Sequence, residues 1–273
     1  MHTMADLSNF RIPSKGKVKL ANYNPASTPF AHGSSKDQEK DLKTLNQQLA
    51  QLIQPLQAER QRSILLVLQG MDAAGKDGTV RGVFKHTSPM GVRLATFKTP
   101  TKDELAHDYL WRCHAVVPAK GEIGVWNRSH YEDVLVPGVN GWINKQTLQQ
   151  RYTQINDFER LLTENGTTVL KCMLHISKDE QRRRLQERID EPEKRWKFSL
   201  GDLDVRKQWD AYQKAYEDLL EATSTAHAPW YVIPADDKLH RNLMINTLLN
   251  HTLLDMKPQY PEDFPELVGL KVE

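Results

Sequence analysis

Cysteine is almost missing from these 273 residues, with Cys113 and Cys172 the only two. Two cysteines cannot frame a disulfide scaffold or a four-cysteine zinc site, and the chain fits a reducing, cytoplasmic setting. Long apolar runs are missing too. The first 30 residues hold no apolar stretch of the kind a secretory leader needs. The longest clean run, Ile64 to Leu68, is far too short to span a bilayer, so no membrane association is expected. A strong excess of one charge is also absent. With 37 Lys and Arg against 35 Asp and Glu, the formal charge is +2. Overall charge therefore does not announce a nucleic-acid partner, and any polyanion must meet a local basic patch. No internal repeat is visible. What remains is a chain 39% apolar and 26% charged, enough for one large α/β domain or a domain with a substantial insertion.

Residues 1–35, rich in Pro, Ser, Asn and Lys, show no sustained period and read as an irregular arm. From Ser35 the pattern turns helical: Leu42, Leu45, Leu49, Leu52 and Leu56 recur at spacings of three and four, and Pro55 is expected to end or kink the helix. The segment SILLVLQ (63–69) predicts a buried strand, followed by a glycine-rich turn and a helix to about His86. Further strands are predicted at 92–97, 122–126, 167–176 and 230–233, with helices at 103–116 and 146–163. Strands separated by helix-length segments imply βαβ crossovers and a parallel sheet covered on both faces. Residues 178–225, charged, helical and broken at Pro192, make a candidate mobile lid within a domain over 36–256. Residues 257–273 form a Pro-rich tail.

Gly70-Met71-Asp72-Ala73-Ala74-Gly75-Lys76 matches G-x-x-x-x-G-K after an apolar strand and before a helix. Glycines let backbone N–H groups approach phosphate oxygens, the helix dipole adds positive potential, and Lys76 adds a full charge. Gly70, Ala73, Ala74, Gly75, Asp77, Gly78 and Thr79 complete the candidate phosphate cradle. Ser or Thr commonly follows the lysine and holds Mg²⁺. Here Asp77 follows it, and Thr79 is the nearest hydroxyl. Asp72 sets a carboxylate inside an anion cradle, where it would repel a phosphate by roughly 4 kcal/mol at 4 Å for a dielectric of 20. A Mg²⁺ ion between them reverses that sign, so Asp72 reads as a metal ligand or, alternatively, as a helix cap.

The strand at 122–126 runs into Asn127-Arg128-Ser129-His130-Tyr131-Glu132-Asp133, which should face the same crevice beyond the strand ends. Arg128 is the expected phosphate-gripping fork. Asn127 stands where a metal-binding Asp is common. Glu132 and Asp133 could bind metal, orient Arg128 or be surface acids, and His130 reads as a packed histidine. Between 178 and 197 eight Lys and Arg crowd together. Favourable pairs are expected for Asp179/Arg183, Glu180/Arg184 and Arg183/Glu187, but Arg184 and Arg188 stand one turn apart as like charges. An anion held between them, with Lys197, would resolve that repulsion. Trp196 and Phe198 add aromatic weight here, and Trp209, Tyr212 and Tyr216, at i, i+3 and i+7, read as packing residues.

The segments GMDAAGKDGT (70–79), NRSHYEDVLV (127–136), SKDEQRRRLQERIDEPEKRWKFSLGD (177–202) and PWYVIPADDK (229–238) resemble the polyphosphate kinase 2 family, its class III members most of all. The resemblance implies a thymidylate-kinase-like α/β/α core with a helical lid. It also implies Mg²⁺-dependent, reversible transfer of a terminal phosphoryl group from inorganic polyphosphate to ADP and AMP, giving ATP. Family roles fall on Asp72, Lys76, Arg128, Arg184 and Arg188, with Asn127 less clearly placed, and family members often form dimers or tetramers. Two other readings share these residues. An ATP-dependent nucleotide kinase has the same loop and lid but needs an adenine slot in place of cations continuing past the loop. A non-catalytic nucleic-acid binder would use the arginines, but the intact loop lysine argues against it.

Overall fold

The computed structural model describes residues 7–262, 264–267 and 269–272. Five strands pair in parallel in the order β2-β3-β1-β4-β5: β1 Ser63–Gln69, β2 Val92–Thr96, β3 Ile123–Asn127, β4 Thr167–His175 and β5 Trp230–Pro234. Strands β1, β3 and β5 are buried along their whole length. That burial explains their continuous Val/Ile/Leu runs without polar alternation. Because β1 lies between β3 and β4, the chain reverses direction across it, and the crevice beyond its C-terminal end is the natural ligand position.

Two helical layers cover the sheet. On one side α1 (Ser35–Glu59), α2 (Lys76–Val83) and α10 (Lys238–Met256) pack together; on the other are α5 (Glu132–Val139), α6 (Lys145–Glu164) and α9 (Trp209–Thr223). The short helices α3 (Lys102–Leu105) and α4 (Trp111–His114) lie between β2 and β3. Helices α7 (Lys178–Asp190) and α8 (Leu200–Lys207) follow β4. The parallel α/β, P-loop kinase-like architecture expected from the strand–helix alternation is present.

Local chemistry sets the ends of these helices. Ser34 and Asp37 form a capping box at α1, and Arg60 closes it in a left-handed conformation. Helix α1 does not end at Pro55: the ring removes one N–H from the ladder, while burial of Leu49, Ile53 and Leu56 holds both halves on one surface. The single helix expected at 103–116 is instead α3 and α4. Asp108 accepts from the Leu110 amide at 2.9 Å, a local turn that competes with a continuous helix. Helices α5 and α10 have no counterpart in the sequence reading. Helix α5 holds Pro137 inside it, and α10 is buried almost all round, which erases the one-sided apolar stripe.

The segment before α1 is irregular but not detached. Leu7, Ile12, Val18, Leu20 and Phe30 are buried. The Ile12 amide donates to Trp230 O and the Val232 amide to Phe10 O, both at 2.8 Å, so the arm closes the free edge of β5. Of the expected arm and tail, residues 1–6, Asp263, Val268 and Glu273 lie outside the described residues. Among the described residues no helix is long and apolar enough to cross a membrane.

Candidate active site

Beyond the end of β1 the backbone makes the turn that the motif implied. Gly70 has φ 149°, and a Cβ there would stand 2.6 Å from Leu174 O, so only glycine fits. Ala73 (φ 64°) and Gly75 (φ 106°) complete the loop, and α2 starts at Lys76. Lys76 Nζ folds back to donate to Gly70 O at 2.7 Å and Met71 O at 3.3 Å. Burial, together with the Arg128 charge, pulls its pKa down to about 8 against the pull of Asp72, Glu132 and Asp77. Thr79 turns away from the crevice: its hydroxyl donates to Gly75 O one turn back, at 3.2 Å. It does not replace the missing metal-binding Ser or Thr.

Strand β3 delivers the second half. Arg128 sits just past it with φ 63°, its amide bonded to Leu68 O at 3.0 Å, a strained turn that aims the side chain across the loop. The guanidinium donates to Asp72 Oδ1 at 2.6 Å and to Glu132 Oε2 at 3.0 Å. Burial lowers its proton affinity, but Glu132 and Asp72 outweigh that and raise it. Asp72, Arg128 and Glu132 thus form one ion-paired unit. Asn127 donates to Asp77 Oδ1 at 2.6 Å, tying the third strand end to the start of α2. Asp133 faces elsewhere, paired with Arg112 at 2.8 Å.

A buried polar cluster holds this corner from beneath. Lys171 Nζ on β4 donates to Glu159 Oε2 at 2.6 Å, Tyr131 OH at 3.0 Å and Thr223 O at 2.7 Å, and His130 lies 3.3 Å from Glu159. Burial pushes the His130 pKa down, so it is a neutral packing residue. Its place in this cluster fixes the turn that carries Arg128.

The basic helix divides in a way its sequence did not indicate. Arg184 is only 6% exposed, and its donors are engaged by the protein. Its Nε donates to Glu180, Nη1 to Ala73 O and Ala74 O, and Nη2 to Ala235 O and Asp236 O, all between 2.6 and 3.1 Å. All five N–H groups are therefore used in clamping the loop to the end of β5, because a buried guanidinium must satisfy its donors inside the protein. Arg188 turns to the rim, donating to Asp202 at 3.2 Å and to Lys197 O at 3.3 Å. The pairs Glu180/Arg184 and Arg183/Glu187 form as expected. Asp179, however, lies near Arg182, and Arg183 takes Glu180 as a second partner. Trp209, Tyr212 and Tyr216 are buried in α9 as packing residues. Trp196, by contrast, is 78% exposed.

These elements enclose a cavity of about 730 Å³ at the strand ends, lined by Asp72, Ala73, Gly75, Lys76, Asp77, Gly78, Asn127, Arg128, Arg184, Arg188 and Lys197 among others. Lys194, one of the eight cations between 178 and 197, joins it as well, and so do Arg81, Lys98, Lys238 and Arg241, which were not foreseen. Its lining holds ten Lys or Arg against four Asp or Glu. The only sequence signal for Lys238 and Arg241 was their position just after the last strand. Among the described residues no group of three or more His, Cys, Asp or Glu could hold a metal alone. Asp72 and Asp77 nevertheless offer two carboxylates in the cavity, and Mg²⁺ at phosphate sites commonly takes one or two carboxylates with phosphate oxygens and water.

Fold and site together define a P-loop protein of kinase-like architecture whose cavity is built for polyanionic phosphate. The family model "Polyphosphate kinase 2" matches residues 32–261, and the chain belongs to that family. It is 50% identical to the AMP/ADP-polyphosphate phosphotransferase of Meiothermus ruber over 97% of this chain and 99% of that one. It is 41% identical to the ADP-polyphosphate phosphotransferase of Rhodopseudomonas palustris, over 94% and 92%. The crystal structure of polyphosphate kinase 2 from Arthrobacter aurescens TC1 superposes with a TM-score of 0.91 at 43% identity, covering 98% of this chain and 93% of that one.

Proposed function

We propose that this chain is a Mg²⁺-dependent polyphosphate:nucleotide phosphotransferase, moving the terminal phosphoryl group of inorganic polyphosphate reversibly to ADP and AMP. The observation that carries the reading is where the cations lie. Past the loop, toward α7 and α10, the cavity continues through Arg188, Lys194, Lys197, Lys238 and Arg241. Lys238 sits in enough positive surroundings that burial, with Arg184, Arg183 and Lys194, lowers its pKa despite Glu187. An ATP donor would need an apolar slot for its base there; a linear polyanion suits the cations. The names of the relatives agree.

In this reading an acceptor phosphate oxygen attacks the terminal phosphorus, and the bridging P–O bond breaks to leave the chain one phosphate shorter. Little acid–base chemistry is required, so the protein works by position and charge. Lys76 and the N-terminal amides of α2 bind the donor end. Arg128 grips the transferred group, exchanging part of its bond to Asp72 for phosphate. Asp72 and Asp77 would hold Mg²⁺, which supplies counter-charge to the phosphate oxygens. Residues 191–208, none of them buried, form the part of the lid able to close and exclude water. The enzyme acts in the cytoplasm, and assembly into dimers or tetramers belongs to the same reading. Incubation with Mg²⁺, long-chain polyphosphate and AMP or ADP, followed by nucleotide chromatography, should yield ATP from both acceptors. No ATP from either, with ready turnover when ATP is the donor, would transfer the assignment to an ordinary nucleotide kinase.

A further inference from the structure

Two arginines approach the loop from the side opposite Arg128, and they differ in what they leave unused. Arg184 has an acceptor for each of its N–H groups. Arg241, on the first turn of α10, does not. Its Nε and Nη2 share one acceptor, Asn242 Oδ1, at 3.3 and 3.1 Å, and its Nη1 reaches Ala74 O at 3.3 Å. Among the described residues two of its five N–H groups have no protein acceptor, and it forms no ion pair with a carboxylate. The residue is 1% exposed, yet it lines the cavity. Burial, and the Arg184 charge beside it, lower its proton affinity, with Asp237 the only opposing charge nearby.

Its position relative to the loop is tight. A Cβ on Gly75 would fall 2.1 Å from Arg241 Nη1, and one on Gly78 would fall 3.3 Å from Nη2. The guanidinium therefore lies against the first turn of α2, where free amides already favour an anion. A buried, unpaired cation is costly, and an anion seated on those amides removes the cost. Arg128 meets the loop at Asp72, whereas Arg241 meets it at Ala74, Gly75 and Gly78. Arg241 thus serves the flank of the loop away from the Asp72–Arg128 pair.

We propose that Arg241 is a donor-binding residue: its free N–H groups hold the phosphate behind the one being transferred, fixing the register of the polyphosphate chain on the loop. This rests on the polyphosphate phosphotransferase reading. Arg241→Gln should raise KM for polyphosphate roughly tenfold or more, the size expected for losing a charge-assisted hydrogen bond, and leave KM for ADP within about twofold. Arg241→Lys should recover part of the loss, because it keeps the charge without the fork. Independently of turnover, calorimetric titration with tripolyphosphate should show a roughly tenfold weaker Kd for Arg241→Gln than for the unmodified enzyme. If Arg241→Gln does not fold, the same titration on Arg241→Lys decides. Unchanged donor KM and tripolyphosphate Kd overturn the proposal, as does equal loss of donor and acceptor affinity together with a lowered Tm, which marks a packing residue. Failure of the unmodified enzyme to use polyphosphate would instead sink the functional reading, and the tripolyphosphate titration would still judge Arg241.

Discussion

Arg184 and Arg188 stand one turn apart on α7, and their surroundings divide the site into a frame and a rim. Arg184 is bound by five hydrogen bonds to the loop, to the end of β5 and to Glu180. Arg188 is partly exposed and meets Asp202 at the start of α8, in a stretch where no residue from 191 to 208 is buried. Burial turns the first guanidinium into a structural clamp, while the second stays available to a bound anion. Residue type and helical spacing are the same for both. What differs is the number of backbone carbonyls within reach.

The largest effect should come from the frame. Arg184→Ala takes the guanidinium away from four carbonyls, of which Ala74 O alone keeps another side-chain donor in Arg241, and a loss of about 3 kcal/mol or more is expected. Melting of the ligand-free protein should show Tm lowered by several degrees. An unchanged Tm would break the comparison and return Arg184 to the rim. Asp72→Asn should lower turnover roughly 10²-fold and raise the Mg²⁺ requirement, as for loss of one electrostatic stabiliser. A variant with normal rate and metal dependence would reduce Asp72 to an anchor for Arg128.

A pH series sharpens the role of the loop lysine. Lys76 has a folded pKa near 8, below its ordinary 10.5, so the folded state holds its proton less tightly than the unfolded chain does. At pH 7 it is charged in both states, and holding that charge costs the fold about 3 kcal/mol. Between pH 8 and 10.5 the unfolded chain keeps a proton that the folded chain has released, so this contribution to ligand-free stability rises with pH. Polyphosphate needs the charged form. The gain in Tm on adding polyphosphate should therefore shrink several-fold from pH 7 to pH 9, and a flat gain would remove Lys76 from donor binding. The smallest effects belong to the rim. Arg188→Ala and Trp196→Ala should each change ligand-free stability by less than about 1 kcal/mol, since Arg188 is partly exposed with a single ion pair and Trp196 is largely exposed. Arg188→Ala should still raise KM for polyphosphate several-fold. Stability losses as large as that of Arg184→Ala would show that frame and rim are one body.

The loop and the sheet were legible because each is a local signal. SILLVLQ is too short for a buried helix and stops at a glycine-rich turn, which makes it a strand, and the glycines and Lys76 after it leave one sensible backbone path. Arg128 could be placed because it follows a strand end that must open on the same crevice. The two short helices at 102–114 were missed because Asp108 makes a turn that periodicity does not register. Helix α10 was missed because it is buried on nearly every side, which removes the amphipathic contrast. Arg241 and Lys238 carried only the weak signal of following the last strand, and that position gains a role only when β5 is paired beside β4.

The sequence by itself determined the parallel α/β core, the phosphate loop and the family, since these rest on contiguous residues and short-range backbone chemistry. Tertiary structure alone decided the division of labour among the cations. Whether an arginine clamps, waits for an anion or pairs with a carboxylate depends on which carbonyls and charges the packed elements bring within about 3 Å, and on how much water is left around it. Sequence spacing along α7 does not contain the distance to Ala73, Ala235 or Asp236. Folding supplies it.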